Sequence, residues 1–222
     1  MCRGVTIMSA CCSAFNDVAG RQFDANKVAE EMADYRKNGP GATTRLLCDG
    51  LVQAGLVSGV LLDIGAGFGA LTFELLDRGS TRAIAVDASS PYVKAGTEEA
   101  TRRGKTGSIE FVHGDFIDVA DTFPRADVVT LDRVVCCYPH VEPLLARAIE
   151  HATHALALAY PRGAWYSRAA MGADNIKRRL TGNSFRTFVH SPTLMERMIR
   201  GAGFTLSSRR RTWLWSIDVF VR

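Results

Sequence analysis

Residues Val60 to Ala70 read Val-Leu-Leu-Asp-Ile-Gly-Ala-Gly-Phe-Gly-Ala. An apolar run of strand length contains an acid near its end, glycine follows at the alternate positions 65, 67 and 69, and an amphipathic segment starts at once. The pattern predicts a strand, a tight turn and a helix start. Glycine in such a turn admits positive φ angles and lets the backbone close on a ligand, while the free N–H groups of the following helix favour anionic or polar groups. A βα turn that merely needs glycine has the same pattern, so the neighbouring segments have to decide.

From residue 59 onward, strand-like apolar runs alternate with helix-length segments. The runs are Val60 to Ile64, Ala83 to Val86, Ile109 to Val112, Val128 to Leu131 and Ala155 to Ala159. Near-continuous apolar strands alternating with helices imply a parallel sheet covered on both faces, an α/β doubly wound domain. Ser90-Pro91 and Ser191-Pro192 are helix starts and Gly104 is a stop. Before this domain, Asp24 caps a predicted helix carrying Val28, Met32 and Tyr35 that ends at Asn38-Gly39-Pro40, and a second helix runs from Thr43 or Thr44 to near Gly55. The expected organisation is a helical extension over residues 1–58, packed over the ligand site, and a domain over 59–222 with a lid-like insertion at 163–190.

In doubly wound sheets the ligand lies beyond the carboxyl ends of the strands. The first strand ends at Asp63 and the glycine loop. The second ends at Asp87, followed by Ala88; Asp87 is eighteen residues beyond Gly69, a spacing that suits a carboxylate accepting hydrogen bonds from ribose hydroxyls. The third ends in Gly114-Asp115-Phe116, a carboxylate beside an aromatic ring, suited to an adenine amino group and ring face. The fourth ends in Asp132-Arg133 and continues through Cys136, Cys137 and Tyr138 to His140.

Asp63-Ile-Gly65-Ala66-Gly67-Phe-Gly69, Asp87 and Gly114-Asp115-Phe116 together resemble the class I S-adenosylmethionine-dependent methyltransferases. The resemblance covers roughly residues 40–222. It implies a mostly parallel seven-stranded Rossmann-like sheet whose last strands, Phe204 to Arg211 and Leu214 to Val221, form an antiparallel hairpin. It implies S-adenosylmethionine as cofactor, with the glycine loop and Asp63 around its methionine part, Asp87 on the ribose, and Asp115 and Phe116 at the adenine. Ala66, Ala88, Asp132, Arg133 and Arg36 are further candidates for cofactor contact. The stretch Leu131 to Pro139, with Tyr35 to Pro40, is loosely similar to bacterial small-molecule methyltransferases of the magnesium-protoporphyrin methyltransferase type.

Methyl transfer from a sulfonium is an in-line displacement that alignment and water exclusion can largely accelerate. His140 and Tyr138 are the candidate catalytic residues; for a hydroxyl acceptor a base is useful, and His140 is the first candidate for it, with His190 second. The position after strand four lacks the Asn- or Asp-Pro-Pro-Tyr run of enzymes that methylate base or amide nitrogens. The aromatic and arginine-rich segment from Trp165 to His190 favours a small acceptor, aromatic or acidic, methylated at oxygen. Residues 162–222 hold twelve Lys and Arg against three acids, so an RNA acceptor is an alternative, without an aromatic-interleaved basic stripe to support it. Gly65-x-Gly67-x-x-Ala70 also fits an NAD-binding oxidoreductase, though little chain remains for a substrate domain. A non-catalytic cofactor-binding regulator is the remaining alternative. The six cysteines at 2, 11, 12, 48, 136 and 137 have no metal-ligand spacing and suggest free thiols, no bound metal and a cytoplasmic setting. No segment has the length or hydropathy of a signal peptide or membrane span.

Overall fold

The computed structural model describes residues 15–222. Cys2, Cys11, Cys12 and the start of the expected extension lie outside the described residues.

Helix α1 (15–22) is followed by α2 (Ala25–Asn38) and α3 (Ala42–Gln53). Asp24 caps α2 by accepting from the Lys27 N–H at 2.9 Å, and Gly39 ends it at φ +75°. The alternating part then runs β1 (Gly59–Ile64), α4 (Ala70–Asp77), β2 (Ser80–Asp87), α5 (Ser90–Arg102), β3 (Ile109–His113), α6 (Phe116–Val119), β4 (Ala126–Asp132), α7 (Val141–His151) and β5 (Ala152–Pro161). It closes with α8 (Trp165–Leu180), α9 (Pro192–Gly201), β6 (Thr205–Arg211) and β7 (Trp215–Val221).

The sheet has seven strands in the order β3-β2-β1-β4-β5-β7-β6. Pairings among β1 to β5 are parallel, while β5–β7 and β6–β7 are antiparallel. The chain reverses its direction of travel across the sheet between β1 and β4, where doubly wound sheets open a crevice. Period-two alternation divides the strands between two cores. Leu62, Ile64, Val129, Leu131, Leu156 and Leu158 point to the face that also buries Leu144 of α7 and Ile199 of α9. Leu61, Ala83, Ala85, Val128, Ala155 and Ala157 point to the face covered by Leu47 of α3 and Phe73 of α4. Alanine dominates that second face because α3 lies close: a Cβ added to Gly50 would stand 2.8 Å from Val219 Cγ2.

The expected lid at 163–190 contains a sixteen-residue helix, α8, followed by an irregular return over 183–190. The terminal hairpin is tied by charge as well as by its ladder. Asp218, 1% exposed, accepts from Tyr160 Oη at 2.7 Å and from both Nε and Nη2 of Arg209 at 2.9 and 2.7 Å. Part of the basic C-terminal third is thereby neutralised internally. Replacing Arg209 by Leu leaves that carboxylate buried with hydroxyls alone, and the expected loss is about 3 kcal/mol, read as a lowered urea midpoint.

Candidate active site

The glycine turn is held against the end of β2. Gly65 and Ala66 donate to the Val86 carbonyl at 2.8 and 3.1 Å, and the Gly67 N–H donates to Asp87 Oδ2 at 2.8 Å. Asp87 Oδ1 accepts from the Ser89 N–H, also at 2.8 Å. One carboxylate therefore fixes both the turn after β1 and the start of α5. The turn needs glycine for space as well as dihedral angle: Gly65 has φ +64°, and a Cβ there would stand 2.4 Å from Val134 Cγ2.

Val134 reaches that position because Arg133 turns the end of β4. At φ +63°, Arg133 is the one non-glycine in the left-handed region among the described residues, a conformation that costs free energy and concentrates at functional sites. Its carbonyl faces the thiols of Cys136 and Cys137 at 3.2 and 3.6 Å.

Above the strand ends lies a cavity of about 360 Å³. From the first turn it is lined by Asp63, Gly65, Ala66 and Gly67, and from the second by Asp87 and Ala88. Phe116, Asp132, Arg133 and Tyr138 complete the expected residues that reach it. Gly69 and Asp115 stand one step behind. Gly69, at φ +88°, is the residue from which α4 starts. Asp115 accepts the Tyr138 hydroxyl at 2.6 Å and the Ile117 N–H at 3.1 Å. Tyr138 is 7% exposed, and burial next to that carboxylate pushes its phenol well above the usual tyrosine range, which keeps it a hydrogen-bond donor.

The acids of the lining are held in different ways. Asp63, 1% exposed, accepts from Thr72 and Thr130 hydroxyls, each at 2.7 Å, and burial pushes it up to about 7. Desolvation likewise pushes Asp87 up to about 6 despite its two backbone donors. Asp132 accepts from Thr44 Oγ1 at 2.5 Å through Oδ2, while Oδ1 is buried with no hydrogen bond among the described residues, Arg133 Nε standing 3.7 Å away.

Two expected residues lie elsewhere. Arg36 is half exposed and turned away from the cavity to Glu99, which it meets at 2.7 Å; Glu99 is fully buried and is also bound by Arg102 and Arg103. The demand of that buried carboxylate accounts for the direction Arg36 takes. His140 is exposed at the N-cap position of α7 and is not part of the lining. The second histidine candidate, His190, lies 2.9 Å from the Tyr138 carbonyl through Nε2 and is also outside the lining.

The cover came from positions that carry no pattern in the sequence. Phe15 of α1 packs on Tyr138 with ring centroids 4.5 Å apart, and Phe23 lies 5.4 Å from both Tyr92 and Phe185. Asn183, after α8, donates to Gln22 at 2.8 Å, so α1 and the return after α8 meet over the cavity. Arg178 of α8 completes the wall. Its Nη2 meets Asp174 at 2.6 Å, its guanidinium lies over the Phe185 ring, and its Nη1 is buried with no acceptor among the described residues.

Residues 61–158 match a protein-family model described as a methyltransferase domain. With the seven-stranded sheet and its terminal hairpin, the match gives this segment the Rossmann-like fold of a methyltransferase domain. Among solved structures, the chain is similar to magnesium protoporphyrin IX methyltransferase from Synechocystis with bound S-adenosylhomocysteine, at TM-score 0.69 and 18% identity over 93% of this chain and 99% of that one. It is also similar to an O-methyltransferase family protein from Burkholderia thailandensis, at TM-score 0.62 and 16% identity over 95% of this chain and 59% of that one. In sequence it is 29% identical over 167 residues to the ribosomal protein L11 methyltransferase of Nitrosococcus oceani, covering 74% of this chain and 51% of that relative. The chain thus spans about half the length of that curated relative.

The raised acids set a pH dependence. In the free protein Asp63 and Asp87 favour folding while protonated, so their contribution is full below about 3.8 and is lost as pH rises through about 6 and about 7. The sulfonium of the cofactor that the resemblance implies would favour the ionised carboxylates if bound here. Binding of S-adenosylmethionine should therefore release protons and tighten as pH rises through the same window, whereas S-adenosylhomocysteine, which lacks the sulfonium charge, should give a shallower dependence; calorimetry in buffers of different ionisation enthalpy measures both. Gly65→Ala should cost about 1–3 kcal/mol of stability through overpacking against Val134 and weaken cofactor binding, read by thermal unfolding and the same titration.

Proposed function

We propose that the chain is an S-adenosylmethionine-dependent methyltransferase that acts on a small molecule bearing a carboxylate, at oxygen. The observation that carries this reading is Arg178. A guanidinium in the cavity wall, with one nitrogen buried and unpaired among the described residues, is costly unless an anion completes it. Met171 and Phe185 beside it offer an apolar surface to the rest of such a molecule.

A carboxylate also suits the site's acid–base inventory. The described lining contains acids, thiols, Tyr92, Tyr138 and arginines but no histidine. A carboxylate is already an anion at neutral pH, so one of its oxygens attacks the methyl carbon without losing a proton. The carbon–sulfur bond breaks as the carbon–oxygen bond forms, its electron pair goes to sulfur, and the products are a methyl ester and S-adenosylhomocysteine. Asp87, the glycine turn and the Asp115–Tyr138 pair hold the cofactor in this reading, with Asp87 on the ribose and Tyr138 near the adenine. The two lids, α1 and the return after α8, exclude water from the sulfonium.

An RNA acceptor draws less support, because Arg200, Arg209 and Arg210 of the basic third are engaged with carboxylates of the chain itself. Among the similar proteins, the magnesium protoporphyrin IX methyltransferase and the O-methyltransferase family protein favour a small acceptor, while the ribosomal protein L11 methyltransferase favours a protein one.

The test is transfer of radiolabelled methyl from S-adenosylmethionine to a panel of aromatic and aliphatic carboxylic acids, with their amides, phenols and ribosomal RNA as comparators. Label is expected in an extractable ester that releases methanol in base. For the best acid, Arg178→Gln should raise KM roughly tenfold or more and leave cofactor affinity unchanged. Label confined to RNA, or an Arg178→Gln variant with unaltered KM, contradicts the reading.

A further inference from the structure

Helix α8 turns its apolar side outward. Only Ser167 among its sixteen residues is buried. Met171, Asp174 and Arg178 line the cavity. On the other side Trp165 is 79%, Ile176 62% and Leu180 83% exposed, with Ala169 and Ala173 exposed between them. At about 100° per residue these five positions fall within about 80° of arc, opposite the cavity-facing residues. Arg168 and Arg179 border this stripe on one edge and Lys177 on the other, all exposed.

The neighbouring hairpin enlarges the patch. Trp213, 69% exposed in the turn between β6 and β7, stacks on Tyr166 of α8 at 5.5 Å and an interplanar angle of 10°. Arg162 lies over the same Tyr166 ring, and Arg211 is exposed at the end of β6. The one acid of α8, Asp174, is on the cavity side and is paired with Arg178. The outward face therefore combines large apolar side chains with Arg162, Arg168, Lys177, Arg179 and Arg211.

We infer that this face docks on an anionic lipid surface. A helix with an apolar stripe bordered by Lys and Arg lies in the plane of a membrane interface, where indole rings sit at headgroup level and basic side chains meet acidic headgroups. Charge complementarity selects this occupant. A second copy of the chain would bring the same cations against themselves, whereas anionic headgroups neutralise them. No described helix is long and apolar enough to cross a membrane, so the attachment is peripheral. Because the other side of α8 lines the cavity, docking places the acceptor side of the site next to the lipid.

Cosedimentation of the full chain with vesicles tests this without any measurement of turnover. The chain should partition into vesicles of phosphatidylglycerol and phosphatidylcholine in equal parts, bind phosphatidylcholine alone far less, and detach as salt is raised. The double variant Trp165→Gln, Leu180→Gln should lose roughly tenfold in partitioning while its circular dichroism and S-adenosylmethionine binding stay unchanged. The pair Lys177→Glu, Arg179→Glu should remove the preference for the anionic vesicles. Absence of binding to anionic vesicles overturns the inference, as does binding that neither variant weakens. A solution mass of two chains that Leu180→Gln reduces to one would assign the face to a second copy instead.

Discussion

The Asp87 carboxylate, shared between the Gly67 and Ser89 N–H groups, is the interaction on which the site depends. It joins the turn after β1 to the start of α5 across two strands, so the glycine backbone is fixed before any ligand arrives. The close approach of Val134 to Gly65 fixes the same turn from the side of β4. Three strand ends are thereby locked together by a carboxylate, a row of positive φ angles and one strained arginine. Such preorganisation suits a reaction whose acceleration comes mainly from alignment.

The second organising fact is the charge of the cavity. Asp63, Asp87 and Asp132 converge at the strand ends, two of them pushed up by burial and the third with an oxygen left without a hydrogen bond among the described residues. Gathering acids in a poorly solvated place is unfavourable for the free protein, and a cationic ligand offsets it. Arg178, on the lid side, is the opposite sign in the same enclosure. A cation among the acids and an anion at the arginine complement each other, as a sulfonium donor and a carboxylate acceptor would.

The fold was largely legible in the sequence because its signals are local. Apolar runs such as Leu61 to Ile64 and Ala155 to Ala159, with Asp24, Gly39, Ser90 and Ser191 at helix ends, define elements without reference to distant partners. The lining residues at the strand ends follow from that topology, since residues just past parallel strands collect at one edge. What remained hidden depends on distant partners. Arg36 is drawn to Glu99, sixty-three residues away. His140 sits just past a strand end yet only begins α7, its ring left in solvent. Phe15 and Thr44 reach the cavity from helices whose packing no pattern announces, and nothing in the residue type of Arg133 signals its left-handed backbone. The outward apolar stripe of α8 reads in sequence as an ordinary amphipathic helix; only the fold reveals which side it turns to solvent.

The most direct test of the central claim is a crystal structure of the chain with S-adenosylhomocysteine. The account predicts the ribose hydroxyls within hydrogen-bond distance of Asp87, the adenine beside Phe116 and Tyr138 under the cover of Phe15, and the sulfur facing the space below Arg178. A ligand bound outside this cavity, or a ribose that makes no contact with Asp87, would contradict it.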